Sequence, residues 1–210
     1  GKFDKFADGK KDIKIQLNQF KTVVLSDYWK ERLEPIIGEV SVIENPIDPN
    51  LQTEDLVDKK SKQILLLGRQ DPVKGHRFAF EVVRMMANDG WHLKATGTLH
   101  SEDAIQGLGW VTEEEKYSLL RESDVLIIPS QYEGQPLVMM EGLAAKCKVV
   151  ASDKIPGLPN CVVSAKFNNT EDWVNKIKNS EYIDATKYVN DHEIMQITQK
   201  WGELYNSLVA

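Results

Sequence analysis

Val125-Leu-Ile-Ile-Pro-Ser130, followed closely by Glu133-Gly-Gln-Pro-Leu-Val-Met-Met-Glu141, decides the fold. The apolar run has the length of a buried strand, and a turn beginning Glu133-Gly134 leads into a helix that contains Glu141. Strand, short turn and helix is how an α/β protein presents a helix N-terminus to an anion. Unpaired backbone N–H groups and the helix dipole both favour negative charge there. Glu133 and Glu141 stand eight residues apart, one carboxylate on the loop and one inside the helix. Carboxylates repel a phosphate, so this pair is expected to hold hydroxyl groups on either side of one.

Outward from this stretch, strands and helices alternate. Gln63 to Gly68 reads as the first strand of the main domain, and His76 to Asn88 as its helix, with Phe78, Phe80, Val82, Val83 and Met86 supplying apolar surface. Strands follow at Trp91–Gly97 and Ile105–Gly109, then a helix at Glu113–Arg121 and the strand Asp124–Pro129. Beyond Glu141 come strands at Lys148–Ser152 and Cys161–Val163, and helices around Asp172–Lys178 and Glu193–Leu208. Such alternation implies a Rossmann-like, doubly wound parallel sheet covered on both faces, with ligands at the carboxyl ends of its strands. Ahead of it, Thr22–Leu25 is a short strand, Ser26 caps a helix that Pro35 stops, and Glu39–Glu44 is a second strand. Asn45-Pro46-Ile47-Asp48-Pro49 is a turn, and Leu51–Lys62 is polar and reads as a connector. Residues 1–20 show no clear period and read as a tag remnant or a cut through a larger protein. The domain expectation is a tail at 1–50, a ligand-binding domain at 51–190 and a C-terminal helix at 191–210.

The 210 residues carry a formal net charge of −6, with Lys and Arg scattered among a larger number of acids, which argues against a nucleic-acid partner. Cys147 and Cys161 are too few and too far apart for a metal cluster; a disulfide between them stays open, and a reducing, cytoplasmic setting fits best. No apolar stretch approaches the ~20 residues of a membrane span, so any membrane contact is expected to be peripheral. His76, His92, His100 and His192 have no ligand spacing, and no Asp-x-Asp pair is present, so no metal is expected. Serine-hydrolase, dinucleotide-binding and P-loop signatures are also missing.

Gly68-Arg-Gln-Asp-Pro-Val-Lys74-Gly75 follows one strand and precedes a helix, which places Arg69 and Lys74 at the same sheet edge as Glu133. Together they would neutralise a diphosphate and the charge that develops as it departs, without a metal. Glu141 lies among Leu137, Val138, Met139, Met140 and Leu143, so its carboxylate needs a specific partner, and a ribose diol suits it. Gly109-Trp110-Val111 offers backbone groups and an apolar wall to a nucleobase; Trp110 as ordinary core is an equal reading. Cys147, between two lysines, is either a thiol of lowered pKa or a small buried residue at a strand start. A ligand with a central phosphate and hydroxyls at both ends is a sugar nucleotide.

These residues resemble a known family. Ser26 with its helix, Ile43–Asp48, Gly68-Arg69 with Lys74-Gly75, Leu108–Val111, Ser123–Ser130, Glu133 to Glu141 and Val149–Ser152 match, in order and spacing, the C-terminal half of a retaining, GT-B-fold glycosyltransferase of family 4. The final Trp201-Gly-Glu-Leu-Tyr205 is similar too. The resemblance implies that Arg69 and Lys74 bind the donor diphosphate, Glu141 the ribose and Glu133 the transferred sugar. It further implies that the backbone amides of Leu137 and Val138 face phosphate or sugar, and that Val111 touches the base. It implies metal-independent transfer with retained configuration, by same-face attack assisted by the leaving phosphate. The donor is then a UDP- or GDP-sugar, with no cofactor, and the acceptor a glycan or a lipid-linked glycan.

Three departures stand out. The usual Gly-Phe-Gly is Gly134-Gln135-Pro136, which resembles enzymes of bacterial surface-polysaccharide synthesis. Leu99 replaces an expected glycine, and the connection from Gly97 to Ile105 is too short for the usual helix. Nearly all of the acceptor half is absent, and with it the surface that would meet a membrane. Two other readings are a non-catalytic sugar-nucleotide-binding module and a GT-B-like sugar-nucleotide epimerase.

Overall fold

The computed structural model describes residues 20–51 and 59–209. Residues 1–19 and most of the polar connector lie outside the described residues. The chain divides into two compact units, one of residues 46–194 and one of the residues up to Asn45 with those from Met195 on.

In the second of these units β1 (Thr22–Val24) pairs in parallel with β2 (Val40–Val42) across α1 (Asp27–Ile37). Val24, Ile37 and Val40 form its small core, with Trp29 and Leu33 packed against them. Two expectations change here. Pro35 does not stop α1; it removes one N–H near the helix end, a loss the last turn tolerates, and Gly38 (φ +89) ends the helix instead. Ser26 occupies the N-cap position, but its hydroxyl makes no capping bond and only its carbonyl receives Trp29 and Lys30 N–H.

The larger unit is built on six parallel strands: β3 (Lys60–Leu66), β4 (His92–Thr96), β5 (Ile105–Gly109), β6 (Ser123–Ile128), β7 (Lys148–Ser152) and β8 (Val163–Ala165). Their order is β5-β4-β3-β6-β7-β8, with every pair parallel. Helices α2 (His76–Met86), α3 (Glu113–Glu122), α4 (Leu137–Ala144), α5 (Thr170–Asn179) and α6 (Thr186–Asp191) complete it. This is the expected doubly wound sheet.

Side chains alternate across the central strands, which is why both faces are apolar. Ile64, Leu66, Val125 and Ile127 pack with Phe80, Val83 and Met86 of α2 and with Trp173 and Ile177 of α5. Leu65, Leu67, Leu126 and Ile128 pack on the other side with Leu120 of α3 and with Met140 and Leu143 of α4.

Strand β3 begins at Lys60, within the segment read as connector, and a register shift between Lys60 and Ile64 accommodates Lys62 at φ +63. Lys59 explains the early start: its ammonium donates to the carbonyls of Arg121 (3.2 Å), Ser123 (2.9 Å) and Ala145 (2.9 Å), tying the strand to the ends of α3 and α4. At the other edge β8 lies two residues later than expected. The short α6 has too few residues to show a period and is missed by sequence reasoning. The connection between β4 and β5 carries no helix, as its length implies, and is pinned by Gly97 N–H on Gly109 O (2.7 Å) and Gly109 N–H on Thr98 O (2.7 Å).

Candidate donor-binding edge

Strand order reverses between β3 and β6, the place where a doubly wound sheet seats ligands at its carboxyl edge, and here the loops leaving the two strands meet, Gln131 N–H donating to Val73 O at 2.8 Å. Lys74 comes from the loop after β3 and Glu133 from the loop after β6. Their side chains meet, Lys74 Nζ standing 2.6 Å from Glu133 Oε1. The buried Ser130 hydroxyl donates to the same oxygen at 2.8 Å. Among the described residues nothing bonds the other oxygen of Glu133, which stays available to a further donor.

The Lys74 loop is held from below. Gly68 N–H donates to the buried Thr96 hydroxyl at 2.9 Å, and His76 Nε2 donates to the Thr96 carbonyl at the same distance. Gly97 packs so tightly that a Cβ there would lie 2.2 Å from Gly68 O and 2.7 Å from Arg69 Cα, and its φ of +72 would strain any other residue independently. Asp71 accepts Val73 N–H at 2.9 Å and caps the turn that presents Lys74. Arg69 is the outlying member: its side chain is 71% exposed, and its nearest charged partner is Asp71 at 3.7 Å. The structure brings Lys74 and Glu133 together and leaves Arg69 exposed beside Asp71.

Helix α4 starts at Leu137 with Pro136 at the N-cap position and no side-chain oxygen capping it. Leu137 is exposed, Val138 half-buried and Pro136 buried. Gly134 meets open space, and Gln135 is half-buried. Gly142 lets α4 lie directly on β6, since a Cβ there would come 2.3 Å from Leu126 Cδ2. The neighbouring Glu141 then points to α3, where Lys116 Nζ lies 2.8 Å from its Oε1. Lys116 also reaches Glu113 Oε2 at 2.6 Å. Burial works to lower the Lys116 pKa, but the hydrogen bonds to Glu113 and Glu141 outweigh it and hold the ammonium above the ordinary lysine value.

At the β5 end Val111 packs half-buried against the core, while Trp110 is 81% exposed and is not core. Leu99, equally exposed, comes within 3.0 Å of where a Cβ on Gly109 would stand. The lowered-pKa reading of Cys147 falls: both cysteines are free thiols, and burial pushes Cys147 up to about 11. No group of His, Cys, Asp and Glu among the described residues could hold a metal ion. No described helix is long and apolar enough to cross a membrane.

A family model described as "Glycosyl transferases group 1" matches residues 48–186. The chain belongs to the glycosyl transferases group 1 family. An uncharacterised glycosyltransferase of Haemophilus influenzae is 25% identical over 201 residues, 82% of this chain and 56% of that protein. An uncharacterised 41.2 kDa protein in the cps region of Klebsiella pneumoniae is 27% identical over 116 residues, 52% of this chain and 32% of its own length. The chain therefore spans about half of one curated relative and a third of the other. Among solved structures, a glycosyltransferase from Rickettsia africae superposes with a TM-score of 0.79 at 17% identity, covering 96% of this chain and 68% of that one. TarM gives 0.74 at 20% identity over 98% of this chain and 46% of its own. The Rossmann-like fold of GT-B glycosyltransferases is thereby established.

In this group 1 domain the sequence points to Lys74, Glu133 and Glu141 as candidates, but not to Ser130 and Lys116, which hold the two acids, or to Thr96, which holds the Gly68 loop. Ser130 was available three residues before Glu133. Lys116 hides in Glu113-Glu-Glu-Lys116, which looks like a solvated helix face, and only the fold turns it toward α4.

Proposed function

We propose that this chain is the donor-binding, C-terminal half of a family 4 glycosyltransferase, taking a UDP- or GDP-sugar and transferring the sugar with retention and without a metal. The observation that carries this reading is the Lys74–Glu133 pair across the strand-order reversal, beside the uncapped start of α4. A diphosphate seated there meets the α4 amides, Lys74 and the exposed Arg69, groups that stabilise negative charge as the nucleoside diphosphate leaves. Glu133, fixed by Lys74 and Ser130 on one oxygen, offers the other to a hydroxyl of the transferred sugar. Glu141, fixed by Lys116 in the same way, offers its second oxygen to the ribose. Attack from the leaving-group face, helped by the departing phosphate, requires no protein nucleophile.

Two relatives are consistent with the substrate class: a structural neighbour, Anabaena HepE, is described in complex with UDP and glucose, and the Klebsiella relative lies in a cps region. On that basis the acceptor is a glycan or lipid-linked glycan of surface-polysaccharide synthesis, reached from the cytoplasmic side. Thermal-shift titration with UDP-, GDP- and ADP-sugars tests the donor. The double variant Arg69→Ala with Lys74→Ala is expected to weaken binding about a hundredfold, the loss of two charge-assisted contacts. An unchanged titration in that variant rejects the diphosphate assignment.

A further inference from the structure

In the donor reading Lys116 enters only as the partner that fixes Glu141, and it lies close to that acid. Its side chain is 18% exposed, and it joins a largely buried acid, Glu141, to a largely exposed one, Glu113. A half-buried ammonium on a helix stabilises the fold only weakly, because desolvation offsets most of the ion-pair attraction. What the pair does provide is orientation. Oε1 of Glu141 is fixed by Lys116, and Lys116 is in turn restrained by Glu113, so the second carboxylate oxygen faces one direction only. A carboxylate free to rotate recognises a cis-diol poorly, because both hydroxyls need acceptors at fixed places.

Resting on the donor-site reading above, we propose that Lys116 is a positioning residue for nucleoside recognition. It acts through Glu141 to make the site select the ribose 2′,3′-diol. The selectivity for ribonucleotide over deoxyribonucleotide donors then resides in the Lys116–Glu141 pair and not in Glu141 alone. Glu113, exposed and at the far side of Lys116, restrains the ammonium without meeting the ligand.

The test is a ligand-by-variant cycle on the full-length protein. UDP, GDP and ADP are titrated by calorimetry, and the tightest is then compared with its 2′-deoxy and 3′-deoxy forms in wild type, Lys116→Met, Lys116→Gln and Lys116→Arg. Lys116→Met and Lys116→Gln are expected to lose about tenfold for the ribonucleotide and under twofold for the deoxy forms, with Lys116→Arg retaining most of the affinity. A purely structural role lowers all ligands alike, and direct contact of Lys116 with phosphate does the same; either outcome overturns the proposal. Two neutral variants guard against one failing to fold. Wild type that binds a nucleoside diphosphate while the variants match it defeats Lys116 alone, whereas wild type that binds none defeats the donor reading and this inference with it.

Discussion

At the scale of single residues, the site depends on backbone approach as much as on charged groups. Gly97 lies against Gly68 O and Arg69 Cα, so adding one methyl displaces the loop that carries Arg69 and Lys74. Gly97→Ala is expected to destabilise the domain by about 1–3 kcal/mol, from overpacking plus a left-handed backbone. Urea unfolding should report that loss, and donor titration should weaken as well. If the variant binds donor normally, the loop position does not matter. The acids of the candidate site are legible because Glu133 and Glu141 stand at a fixed offset on the turn and helix that follow a strand, a local relation that needs no tertiary information. Thr96 and Lys116 are not, since each becomes informative only through a partner on another element, and Ser130 lies in sequence range of Glu133 but reads as an ordinary loop serine. Trp110 shows the same limit in reverse, because a tryptophan at a strand end reads equally as core or surface until its neighbours are placed.

At the scale of elements, α3 links the site to the start of the domain. Lys116 turns toward Glu141, while Tyr117 beside it donates its hydroxyl to Asp48 in the turn ahead of the sheet. The bond holds the Asp48 carboxyl below its ordinary range and pushes the Tyr117 phenol up to about 12. The signs follow from linkage. The depressed Asp48 stabilises the fold above the ordinary carboxylate range, and that contribution disappears as pH falls through its lowered value. The raised Tyr117 contributes fully below the ordinary phenol value and loses that contribution as pH climbs toward about 12. Tyr117→Phe is expected to cost about 1 kcal/mol at neutral pH and to flatten both ends of the stability curve. Urea midpoints measured from acid to alkaline pH check this. Some alkaline loss should persist in the variant, because the neutral Cys147 thiol titrates up to about 11. Equal slopes in both proteins remove Tyr117 and Asp48 from the account. The central strands behind these helices were readable as continuous apolar runs. Strand β8 is read two residues early and helix α6 is missed, for three-residue and six-residue elements carry too little pattern to fix their limits.

At the scale of the whole molecule, the proposed reaction makes a demand on charge. A departing nucleoside diphosphate gains negative charge, and it is balanced either by a divalent ion or by fixed positive groups of the protein. Here Lys74 is already held at the carboxyl edge by Glu133, Arg69 stands exposed on the same loop, and the start of α4 adds its dipole. Lys74 and the α4 start are positioned by the fold before the donor arrives, so they act without the reorganisation that water would require. Sugar transfer by the full-length protein should accordingly change by no more than about twofold between excess chelator and millimolar magnesium or manganese. Lys74→Ala should lower the rate far more than it alters the sensitivity to metal. The decisive measurement is the initial rate of transfer with each divalent ion and with chelator, for wild type and Lys74→Ala in parallel. A wild-type rate that collapses with chelator and returns with one ion would assign the leaving-group charge to that ion, and Arg69 and Lys74 would then be donor anchors with no share in the bond-breaking step.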